Sequence, residues 1–168
     1  MIAATLAIID TWYNEPTIGS ERPKLLSKLA LLELCGWLET EQDRIVLSLD
    51  GSCLKDSAWV QREVVEKTFG FDYNKHFRPM LARLIEEHLT RTLEEAIEEK
   101  YPGDLDKLRS STGDLWTKRC NFAHADMGEN IARQQMFVAP SWSINQYRIV
   151  SKMLLRFEEQ ALKIVQDL

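Results

Sequence analysis

Apolar residues recur along this chain at helical rather than alternating spacing, and the pattern predicts helices almost throughout. Residues 1 to 13 form a short apolar block that ends at the punctuation Asn14-Glu15-Pro16 and Ile18-Gly19-Ser20. Ser20 or Glu21 opens a second helix, with Pro23 in the first turn, where proline is tolerated. From Leu25 to Leu38 that helix is apolar nearly all round, which predicts a place at the centre of a bundle or at a dimer interface. Gly36 is expected to let a neighbouring helix come close, and the helix runs to about Leu49 before Asp50-Gly51-Ser52 stops it.

A third helix is predicted from about Asp56 to Phe69, with Trp59, Val60, Val64 and Phe69 facing inward, and Gly70-Phe71-Asp72-Tyr73-Asn74 breaks it. A long helix follows from about Lys75 to Lys100, its core face set by Phe77, Met80, Leu81, Leu84, Ile85, Leu89, Leu93 and Ile97. The opposite face (Glu86, Glu87, Arg91, Glu94, Glu95, Glu98, Glu99) reads as solvated and laced with i,i+4 pairs. Tyr101-Pro102-Gly103 ends it, and Asp104 or Asp106 caps a helix carrying Leu105, Leu108, Leu115 and Trp116. Gly113, about 1 kcal/mol worse than alanine in a helix, is a place to bend. After a loop at roughly 127 to 141, the stripe Tyr147, Val150, Leu154, Phe157, Ala161, Ile164, Leu168 keeps its +3,+4 spacing to the C-terminus. Only Met136-Phe137-Val138-Ala139 reads as extended, too short for a sheet. The expected fold is all-α: one domain over residues 1–168, an antiparallel four-helix bundle core with additional short helices.

Composition narrows the function classes. A net charge of −5 argues against a protein that coats nucleic acid or a membrane surface, so any RNA binds at a local patch. Cys35, Cys53 and Cys120 make an odd count without a C-x-x-C pair, which disfavours a disulfide framework or a zinc site and fits a reducing, cytoplasmic setting. The apolar N-terminus lacks the basic flank of a signal peptide and is too short to span a bilayer. No P-loop, G-x-G-x-x-G, H-E-x-x-H or G-x-S-x-G occurs, and no cofactor or metal is expected.

Chemistry concentrates in Lys118-Arg119-Cys120-Asn121-Phe122-Ala123-His124-Ala125-Asp126. Arg119 offers a permanent forked donor for phosphate, and His124 can move protons near neutrality. The competing role for His124 is capping the helix C-terminus. Arg-x4-His alone is weak, since Arg83 and His88 repeat it on a face read as solvated. His76 reads as a surface residue, Cys120 as a core-facing thiol rather than half of a Cys-His dyad, and His124, Asp126 and Glu129 lack the further ligands a metal needs.

In its helical order the chain resembles the HEPN superfamily of small all-α domains. The likeness rests on the apolar helix Lys24 to Glu39, the helix ending Leu115 to Ala125, and the closing amphipathic helix after Pro140-Ser141. The resemblance implies a metal-independent endoribonuclease, a toxin or antiviral defence effector, whose composite site is built by two protomers. Arg119 would hold the scissile phosphate and His124 would act as general acid or base, supported by Asn121, Lys118 and Asp126. It implies RNA as substrate, a second copy of the chain as partner, and an antitoxin or effector protein as a further one, with no membrane or DNA role. Cys120 departs from the family, which usually carries a polar residue directly after the arginine; Asn121 comes one later. The family also contains inactive members, so the alternative is a non-catalytic helical module that binds a protein partner.

Overall fold

The computed structural model describes residues 1–16, 21–50, 55–123 and 138–166. Within them the chain is helical and holds no strand. The α-helices among the described residues are α1 (Ile2–Asn14), α2 (Glu21–Asp50), the single turn α3 (Ser57–Trp59), α4 (Arg78–Ile85), α5 (Glu87–Lys100), α6 (Asp104–Ala123) and α7 (Pro140–Gln166). A wide π-helical turn, Val60–Val65, continues α3, and a second, Tyr73–Phe77, leads into α4.

The predicted stripes form the core. Leu31, Leu34, Leu38, Ile45 and Leu49 of α2 pack with Val150, Leu154, Phe157 and Ala161 of α7, with Leu93 and Ile97 of α5 and with Leu108 and Leu115 of α6. Helix α1 closes one end through Leu6 and Ile9, which meet Leu26 and Ala30. Burying side chains of this size stabilises by roughly 1.5–3 kcal/mol each, so these stripes decide the topology.

Several expectations change in the structure. The helix expected over Lys75–Lys100 is cut at Glu86, whose φ of +74° puts a non-glycine residue in the left-handed region. Apolar spacing runs on across the cut, so only packing reveals it: the corner lets α4 and α5 fold against each other. Arg78 is tied to Glu87 at 2.6 Å and to Glu94 at 3.2 Å. Glu94 is therefore not on a solvated face. Its side chain is 12% exposed and accepts from Arg109 at 2.9 Å and from the Tyr73 hydroxyl at 2.9 Å.

Helix α6 runs through Gly113 without interruption. Phe69 faces outward, 81% exposed, because the π-helical turn shifts the register of the third helix and the chain leaves it before that position. Among the described residues Gly36 meets nothing that a Cβ would touch within 4 Å, so the expected close approach is not made by any of them. Leu25, Leu29 and Leu32 are exposed, so the apolar stretch of α2 over residues 25–38 is covered on only part of its surface. Ile18-Gly19-Ser20, Gly51-Ser52, Cys53, most of the 127–141 loop with Met136-Phe137, and Leu168 lie outside the described residues.

The segment Gly70–Tyr73 is held between α2 and α6. Gln42 Nε2 donates to the Phe71 carbonyl at 2.9 Å, and the Tyr73 N–H donates to Thr112 Oγ1 at 3.1 Å. This stitching sets the loop beside Arg119.

Candidate functional site at Arg119

Arg119 lies one turn from the end of α6, on the flank that faces α2. Its Nη1 stands 3.0 Å from Glu39 Oε1 and its Nη2 donates to Glu39 Oε2 at 3.4 Å, an end-on pairing. The guanidinium lies over the rings of Trp116 and Phe71, at 5.3 and 5.9 Å from their centroids. An arginine gripped by a carboxylate and stacked on two rings is oriented before any ligand arrives. The end-on pairing uses one hydrogen on each terminal nitrogen; a guanidinium carries five.

A cleft of about 200 Å³ opens there, lined by Glu39, Asp43, Thr68, Phe69, Gly70 and Arg119. Glu39 and Asp43 are i,i+4 on α2, so both carboxylates look out from one face. Burial, and then the charge of Glu39, push the Asp43 carboxyl up to about 6.

His76 is half-buried rather than on the surface. Its ring lies 4.7 Å from that of Trp116, and Nδ1 accepts the Asp72 N–H at 3.2 Å. That bond leaves the hydrogen of the neutral ring on Nε2. Burial lowers the pKa of His76, and the positive charges of Lys75 and Arg119 push the same way against Asp72 and Glu39. Gly70, at φ +139°, is pressed on this pair: a Cβ there would stand 2.6 Å from His76 Cε1 and 2.7 Å from Trp116 Cζ3. Only glycine combines that dihedral with that approach.

The expected site residues are not all brought together. Lys118 turns away from Arg119, pairing with Asp114 at 3.5 Å and lying 5.5 Å from the Trp142 ring of α7. Asn121 is half-buried on α6. Cys35, behind Arg119, is buried and its thiol is pushed up to about 12, mainly by burial, while Cys120 is half-buried. His124, Asp126 and Glu129 lie outside the described residues. Sequence reasoning missed Glu39, Asp43 and Phe69; two carboxylates at i,i+4 were visible, but within the polar run Glu39-Thr40-Glu41-Gln42-Asp43-Arg44 nothing set them apart.

Among the described residues no group of three or more His, Cys, Asp or Glu is placed to hold a metal, and no helix is long and apolar enough to cross a membrane. Compared with known proteins, the chain matches no protein-family model, no curated protein and no solved structure.

Proposed function

We propose that this chain is a metal-independent endoribonuclease of HEPN type, a toxin or defence effector acting in the cytoplasm. Its helices would form an antiparallel four-helix core of α2, α5, α6 and α7, and two copies would complete one composite site. The observation that carries the reading is Arg119 itself: a pre-oriented, partly exposed guanidinium in a concave cleft, a few residues before His124. Arg119 would bind the scissile phosphate and stabilise its growing charge. His124 would exchange protons with the 2′-hydroxyl or the leaving 5′-oxygen, a role worth about 10²–10⁴-fold. Asn121, Lys118 and Asp126 would support RNA binding around this pair, and an antitoxin or effector protein would be the further partner.

The test is RNA cleavage in EDTA. The expected products carry 2′,3′-cyclic phosphate ends, and both Arg119→Ala and His124→Ala abolish cleavage while keeping the helical fold. Cleavage unchanged in both variants removes the assignment.

A second reading, a non-catalytic helical module that binds a protein partner, is favoured by one observation: Glu39 neutralises Arg119 within the chain. On that reading wild-type protein cleaves no RNA, and Arg119→Ala lowers stability alone.

A further inference from the structure

Phosphate chemistry at Arg119 leaves two features of the cleft unexplained. One is Phe69, a large apolar ring left 81% exposed at its rim. The backbone carrying it is pinned on both sides. Thr68 Oγ1 donates to the Val64 carbonyl at 2.8 Å, and Gly70 is wedged against His76 and Trp116. A ring exposed to solvent on a pinned backbone gains little for the fold and meets a flat partner without further ordering of that backbone. The other is Asp43. It lines the cleft half-buried, with no hydrogen bond or ion pair among the described residues. A carboxylate partly removed from water without a donor is costly unless a ligand supplies one.

The cleft's size limits the ligand. At about 200 Å³ it falls below the roughly 300–1,000 Å³ of pockets for drug-sized molecules, and suits a single flat ring system. Carboxylate geometry limits it further. Guanine alone among the RNA bases presents two adjacent N–H donors, N1–H and N2–H, on its Watson–Crick edge. Adenine and cytosine pair one donor with an acceptor there, and uracil sets its donor between two acceptors; a carboxylate is repelled by each acceptor.

We propose that Phe69 and Asp43 form a seat for one guanine base of the RNA, Phe69 stacking on its face and Asp43 receiving N1–H and N2–H. This rests on the ribonuclease reading for its substrate class, and it sets the adjoining phosphate beside Arg119. Cleavage is thereby directed to the neighbourhood of guanines in single strands, where the base edge is free. Ionised Asp43 is required, so the preference is present above pH 7 and fades as pH falls through about 6.

The experiment measures binding of full-length protein to uncleavable 2′-O-methyl tetranucleotides, three uridines and one variable base, at pH 7.5. Expected is about tenfold or greater preference for guanine over hypoxanthine, which lacks N2–H, and over adenine, cytosine and uracil. Phe69→Ala, a change on an exposed side chain, lowers affinity for every oligonucleotide about tenfold. Asp43→Asn levels guanine with hypoxanthine. Equal binding of guanine and hypoxanthine by wild type, a preference untouched in Asp43→Asn, or no binding at all overturns the seat. The cleavage assay is read separately. Cleavage lost in Arg119→Ala but indifferent to guanine refutes the seat alone, and guanine-selective binding without cleavage supports the seat while removing the nuclease.

Discussion

Arg119 on α6 and Glu39 on α2, eighty positions apart in the chain, meet end-on with Nη1 3.0 Å from Oε1. Both side chains remain about one-third exposed, at 34% and 29%, so solvent screens the pair and its contribution to stability is about 1 kcal/mol or less. Its larger effect is on orientation. Glu39→Gln is expected to change the unfolding free energy by no more than that amount and, on the proposed ribonuclease reading, to lower kcat for RNA cleavage about tenfold, because the guanidinium is no longer held. Denaturant melts and single-turnover cleavage check the two parts; an unchanged kcat shows that Glu39 does not position Arg119.

Gly70→Ala tests the wedge between the loop and α6. The new methyl carbon would lie 2.6 Å from His76 Cε1 and force an alanine to φ +139°. The expected loss is about 2–4 kcal/mol, from strained backbone and displaced rings together. Urea unfolding followed by circular dichroism measures it, and a loss below about 1 kcal/mol shows that the loop yields.

Asp43 gives the fold a pH dependence of definite sign. Its carboxyl is raised from an ordinary 3.8 to about 6 in the folded chain, so the folded state holds this proton more tightly than the unfolded one. The stabilisation is complete below about pH 4 and disappears as pH rises through 6. Asp43→Asn is therefore expected to be more stable than wild type at pH 8, by on the order of 1 kcal/mol after allowing for solvent screening. At pH 4 that advantage vanishes. Urea midpoints at the two pH values decide it; an advantage independent of pH refutes the account.

Glu94→Gln removes the charge on which Arg78, Arg109 and the Tyr73 hydroxyl converge. Leaving two arginines around a neutral amide is expected to cost about 2–3 kcal/mol, the lower side of losses for one partner of a buried pair, since both arginines keep some solvent contact. Calorimetric melts of Glu94→Gln beside Glu95→Gln check it, the latter expected within about 0.5 kcal/mol of wild type.

Helix existence and core face were legible because apolar spacing is local: Val150, Leu154, Phe157 and Ala161 declare one face of α7 without reference to the rest of the chain. Glu86 was not legible, since nothing in Leu84-Ile85-Glu86-Glu87 marks a left-handed corner; the pull of two helix faces onto one core imposes it. Glu94 looked like its exposed neighbours because its arginine partners come from other helices. Arg119 could be singled out from its neighbours in sequence. Glu39, Asp43 and Phe69 could not, because what joins them to Arg119 is the packing of α2, a loop and α6.

Helix α2 also works as a ruler. Each residue advances a helix by about 1.5 Å, so Glu39 lies about 15 Å along the axis from the middle of the uncovered leucines Leu25, Leu29 and Leu32. Two copies pairing antiparallel through Leu29 would hold their Glu39 side chains about 30 Å apart along that axis, too far for one phosphate to touch both arginines. An antiparallel dimer joined through these leucines would therefore carry two separate clefts, and a shared centre would need the twofold axis to lie beside Glu39 or to run along α2.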